Sequence, residues 1–100
     1  MFIVVWEFKV KPEHVPDFEQ HYAADGTWAK LFREDPAYQQ TILMRDSKAP
    51  DRYLTSDFWR DARSYHSFQQ RARDRYQELD ASFAAFTSSE ALIGHIEVPE

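Results

Sequence analysis

Residues 2–10 read Phe2-Ile3-Val4-Val5-Trp6-Glu7-Phe8-Lys9-Val10, and the alternation in this stretch decides the fold. Phe2, Val4, Trp6, Phe8 and Val10 share one face, with Ile3, Val5, Glu7 and Lys9 on the other. A period of two is a strand, and this strand is apolar on both faces near its start. Lys11-Pro12 closes it. Proline is tolerated in a first helical turn, so Pro12 and Pro16 place a helix start here. Val15, Phe18 and Tyr22 then form one apolar stripe. Asp25-Gly26 breaks the helix, Thr27 stands where a cap is needed, and Trp28, Leu31 and Phe32 form the inward face of a short second piece. Pro36 stops it.

The rest of the chain follows the same logic. Tyr38 to Arg45 and Tyr53 to Trp59 read as two strands, joined through the polar turn Asp46-Ser47-Lys48-Ala49-Pro50-Asp51 as a hairpin. Asp61 caps the next helix. Tyr65, Phe68, Ala72, Tyr76, Leu79, Phe83 and Phe86 keep a helical period from about Ala62 to Phe86, as one helix or two. Thr87-Ser88-Ser89 reads as a loop. Glu90 to Val98 reads as a last strand, with Ile93 facing away from Leu92 and Ile96. The order βαββαβ is the ferredoxin-like α+β unit, a four-stranded antiparallel sheet with helices on one face.

Composition narrows the function classes. At 100 residues the chain has room for a single domain, residues 1–100. A net charge of −5 argues against nucleic acid as a partner. The absence of cysteine excludes disulfides, thiolate metal sites and Cys nucleophiles. With only Gly26 and Gly94, no glycine-rich phosphate loop exists, so no nucleotide cofactor is expected. No apolar run approaches the roughly 20 residues of a membrane span, and the start of the chain lacks a signal-peptide pattern. The expectation is a cytoplasmic protein with no membrane partner. Helices cover only one sheet face, yet Ile3, Val5, Ile42, Met44 and Ile93 leave the other apolar. A homodimer with the two sheets face to face is the economical cover.

Three segments resemble the antibiotic biosynthesis monooxygenase family. They are Val4-Val5-Trp6-Glu7-Phe8-Lys9-Val10-Lys11-Pro12, Tyr53-Leu54-Thr55-Ser56-Asp57-Phe58-Trp59, and the capped helix Asp61-Ala62-Arg63-Ser64-Tyr65-His66-Ser67-Phe68. The resemblance runs from Phe2 to Ile96. It implies a dimeric α+β barrel and, in part of the family, cofactor-free oxidation of anthrones or quinols. A deprotonated electron-rich substrate can itself reduce dioxygen, while the protein supplies a dry pocket, a base and hydrogen-bond donors. The haem-degrading branch resembles a site made of an Asn, a Trp and a His. Only Trp59 matches it cleanly and the sequence contains no Asn, which argues against haem degradation. The anthrone-oxidising branch also leans on an Asn near the third strand, where Asp57 is the nearest polar residue.

The candidate catalytic residues are Asp57 and His66. Asp57 would be a carboxylate raised by burial if it faces inward, and otherwise an exposed or capping residue. His66 suits phenol deprotonation near neutral pH, or is a plain surface histidine. Trp28, Trp59, Tyr65 and Tyr38 are the candidate ring-binding residues, each also readable as core; Trp6 reads as core, and Tyr53 and Tyr76 as further hydroxyl donors or core-edge residues. His14, Asp17, His21 and Asp25 form a stripe that reads as solvated surface, so no metal is expected. Arg60, Arg63, Arg71, Arg73 and Arg75 either attract an anion or form ion pairs on a solvated face. The leading expectation is a cofactor-independent monooxygenase of a small planar aromatic or quinol. The alternatives are a non-catalytic dimer that binds a small molecule or assists a pathway, and an isomerase or decarboxylase of the same barrel type.

Overall fold

The computed structural model describes residues 1–99. Its elements are β1 (Phe2–Val10), α1 (Val15–Tyr22), α2 (Thr27–Phe32), β2 (Tyr38–Arg45), β3 (Arg52–Trp59), α3 (Ala62–Arg71), α4 (Arg73–Phe83) and β4 (Thr87–Glu97). Single 3-10 turns precede α1, at Pro12–His14, and follow α4, at Ala84–Phe86. The strands form one sheet in the order β2-β3-β1-β4, and every neighbouring pair is antiparallel. This is the ferredoxin-like α+β fold.

Alternation sorts the sheet as expected. Phe2, Val4, Phe8 and Val10 of β1 are buried beneath the helices, as are Tyr53 and Trp59 of β3. Asp61 caps α3, its carboxylate accepting the Ser64 N–H at 2.7 Å. The long helical stretch is two helices, broken at Ala72 with no glycine or proline to mark the break.

Two local expectations are corrected. Gly26, not Thr27, is the N-cap of α2. A Cβ at Gly26 would lie 2.5 Å from the His21 carbonyl oxygen, so only glycine lets the chain turn this closely. The Thr27 hydroxyl instead bonds His21 Nδ1 at 2.7 Å. Thr87-Ser88-Ser89 is not a loop. Thr87 pairs with Val10 and Ser89 with Lys9, so β4 begins three residues earlier than its hydropathy suggests.

Register shifts account for a third difference. β4 slips against β1 between Val5 and Trp6, where Gly94 and then Leu92 are the partners. Ile93 is the extra residue, and a bulge of this kind reverses the alternation beyond it. Leu92 therefore pairs with Trp6 on the helix side, while Ile96 pairs with Ile3 on the outer side. β2 slips against β3 between Tyr38 and Gln40, which puts Tyr38 and Thr41 on one face although they are three residues apart.

The outer face stays apolar. Ile42, Met44, Ile93 and Ile96 are 40%, 39%, 55% and 47% exposed, and Ile3, Val5, Leu54 and Phe58 are half-buried beside them.

Candidate active site

Between the sheet and the helices lies a cavity of about 150 Å³. That volume holds one benzene-sized ring. Six aromatic residues line it: Trp6 and Phe8 from β1, Tyr22 from α1, Trp28 and Phe32 from α2, and Tyr76 from α4. The Trp28 and Tyr76 rings meet at 4.7 Å. Thr41 and Thr55 supply hydroxyls, and Asp57, Asp80 and Glu90 supply carboxylates.

Asp57 is the one buried carboxylate in this wall. It sits mid-strand on β3, opposite Val4 of β1 and Thr41 of β2, so hydrogen-bonded strands flank it on both sides. Burial pushes its carboxyl up to about 6, against a smaller downward pull from the Thr41 hydroxyl. Thr41 Oγ1 donates to Asp57 Oδ1 at 2.6 Å. Its single hydrogen is then spent, so the Tyr38 hydroxyl must be the donor in its 2.6 Å bond to Thr41. The result is a chain of hydroxyls, Tyr38 to Thr41 to Asp57, that orients one carboxylate oxygen.

The other groups in the wall resist negative charge. Tyr22 is pushed up to about 12, by burial first and then by Glu90 and Asp80; the nearby Trp28 indole pulls the other way. Tyr76 is raised by burial, with Tyr65, Asp80, Asp57 and Glu90 adding to it. Glu90 is raised by burial and by Asp80. Trp28 Nε1 is buried and approaches the Tyr22 hydroxyl, outside strict hydrogen-bond geometry.

The candidate residues divide. Asp57 and Trp28 share the cavity. Trp59 does not line it: the side chain is fully buried and enclosed by Phe32, Tyr38, Tyr65 and Phe68 at 5.3–5.7 Å. Tyr38 touches Asp57 only through Thr41, and Tyr65 packs on Phe2 and Trp59. His66 is exposed, against Phe2, Tyr65 and His95, none of which lines the cavity. The structure therefore does not bring His66 to Asp57. The arginines are held elsewhere: Arg60 by Asp61, Arg71 by Asp35, Arg73 by Asp74 and Arg75 by Glu34. In the His14 stripe, His21 bonds Thr27 and Asp25 pairs with Arg33. No three potential metal ligands gather among the described residues.

Tyr76, read from the sequence as part of the apolar stripe, lines the cavity, and Asp80 and Glu90 beside it were not anticipated. Tyr76 and Asp80 are four residues apart on α4, a spacing that puts them on one face, but nothing in the sequence says which strand they meet. Glu90 reaches the cavity because it pairs with Phe8, on the helix side of the sheet.

A family model for antibiotic biosynthesis monooxygenases matches residues 1–78. The chain belongs to the antibiotic biosynthesis monooxygenase family. Solved structures agree on the fold. An Asn-to-Ala variant of SnoaB, a cofactor-independent oxygenase from Streptomyces nogalater, superposes with a TM-score of 0.79 at 17% identity, over 99% of this chain and 93% of that one. A Bordetella bronchiseptica protein named as an antibiotic biosynthesis monooxygenase gives 0.77 at 21%, over 99% and 97%. A conserved protein from Methanosarcina mazei gives 0.71 at 16%, over 96% and 90%. Among curated proteins, none matches the sequence. Membership in the antibiotic biosynthesis monooxygenase family thus rests on the sequence model, and the structural likeness is one of fold.

Proposed function

We propose that the chain is a monooxygenase that oxidises one small planar aromatic, of phenol or quinol type, with dioxygen and no bound cofactor. The observation that carries this reading is Asp57: a buried carboxylate, lifted toward neutrality, in the wall of a ring-sized cavity. A base works best when its pKa lies near the working pH. Asp57 takes a proton from a ring carbon that bears two hydrogens in its keto form. The carbanion gives its electrons to dioxygen, a C–O bond forms, and the peroxide anion takes the proton back. Asp57 then removes the second hydrogen as a proton while the O–O bond breaks. The leaving hydroxide takes that proton as water. Carbon is oxidised by four electrons and keeps one oxygen; dioxygen accepts all four.

The test is oxygen uptake with single-ring quinols, bicyclic quinols and anthrone. Turnover above buffer that falls about 100-fold or more in Asp57→Asn supports the mechanism. No turnover, or turnover indifferent to that change, overturns it. The hydroxyl chain that already engages Asp57 Oδ1 favours a second reading, a ligand-binding protein without catalysis, whose signature is saturable binding with no oxygen demand.

A second copy of the chain is the proposed partner on the outer sheet face. Ile42, Met44, Ile93 and Ile96 form the apolar surface that the partner would cover.

A further inference from the structure

The polar part of the cavity wall is one-sided. Asp57, Asp80 and Glu90 line it, and no Lys, Arg or His among the described residues does. Asp80 and Glu90 are exposed residues, at the open side, whereas Asp57 is deep. Between them stand the rings of Trp6, Trp28, Tyr22 and Tyr76, whose faces carry negative potential. The charges that neutralise carboxylates elsewhere in the fold are not directed here. Arg71, Arg75 and Arg33 are each committed to another acid.

We infer that the cavity selects an aromatic ring carrying a protonated amine, the ring among the indoles and phenols and the ammonium toward Asp80 and Glu90. The inference rests on the reading of this cavity as a ring-binding site and deepens it. Rings attract a cation over their faces, and exposed carboxylates add attraction at the mouth. A carboxylate-bearing ligand meets the opposite field. The phenols of Tyr22 and Tyr76 are raised first by burial, with Asp80 and Glu90 adding in the same direction.

Three probes share one ring and differ in charge: tyramine, 4-(2-hydroxyethyl)phenol and 4-hydroxyphenylacetate. Titration calorimetry at pH 7.5 and low salt compares them on the full chain. Tyramine is expected to bind about tenfold or more tighter than the alcohol, with the acid weakest. In Asp80→Asn combined with Glu90→Gln, the ratio of tyramine to alcohol affinity is expected to fall at least severalfold. Equal affinities, a preference for the acid, or a preference that survives the double variant overturns the charge inference and leaves ring binding standing. Failure of all three probes to bind overturns both.

Discussion

Replacing Asp57 by Asn removes a charge from the sheet interior, and the effect on stability has a calculable pH dependence. The carboxyl titrates near 3.8 when solvated and near 6 in the fold, because burial penalises the anion. Its folded pKa is raised, so the folded chain binds the proton more tightly than the unfolded chain. The stability this contributes is fully present below pH 3.8 and is lost as pH rises through about 6. Two pKa units at about 1.4 kcal/mol each give a total loss of about 3 kcal/mol by pH 7. Asn cannot ionise, yet its carbonyl oxygen can still accept from Thr41. Whatever its amide group costs is independent of pH. The difference in unfolding free energy between variant and parent should therefore move in favour of the variant by about 2–3 kcal/mol between pH 4 and pH 7. Urea melts of both proteins across that range measure it, and taking the difference cancels the other carboxylates. A flat difference would refute the premise that Asp57 is ionised at a desolvated site. The same substitution is expected to abolish turnover, so stability and activity should move in opposite directions above pH 6.

Ile42→Asp with Met44→Asp places two charges on the outer sheet face and is expected to leave a folded monomer by native mass spectrometry, where the parent is expected to be a dimer; a variant that stays dimeric rejects the sheet face as the interface. Gly26→Ala is expected to cost about 1–3 kcal/mol in urea melts, since the new methyl meets His21 backbone at 2.5 Å. Asp61→Ala removes the cap of α3 and should lower the melting temperature at pH 7. Asp61 is held down to about 2 by the Ser64 N–H, so its contribution is present above its ordinary value of 3.8 and lost as pH falls through 2, where variant and parent should converge.

Strands were legible wherever side chains alternated without interruption. Tyr53, Thr55, Asp57 and Trp59 all face the helices, in step with the alternation, but the sequence leaves Asp57 open between a buried and an exposed reading. Bulges were not legible. One extra residue at Gln39 or Ile93 reverses every facing beyond it and has no required residue type. Thr41 and Leu92 were therefore assigned without the neighbours they have. Trp59 and Trp28 look alike in sequence, because a core and a ring-binding wall both call for a large aromatic. What separates them is tertiary: Phe32, Tyr38, Tyr65 and Phe68 close over Trp59, while Trp28 borders open volume. Tyr76 and Asp80 depend on how α4 crosses the sheet, which periodicity does not specify, and Glu90 on the register of β4 against β1.

The two walls of the cavity differ in how firmly they are anchored. Asp57, Trp6 and Phe8 belong to β3 and β1, the inner strands, whose amides are tied on both sides. The facing wall comes partly from α2, six residues long, and from α4; neither has a side-chain cap at its start. Short helices without caps open at small cost. Admission of a ring should therefore proceed by outward breathing of α2 and α4 over a sheet that holds Asp57 still. In amide hydrogen exchange those two helices would trade deuterium first, and β1 and β3 last.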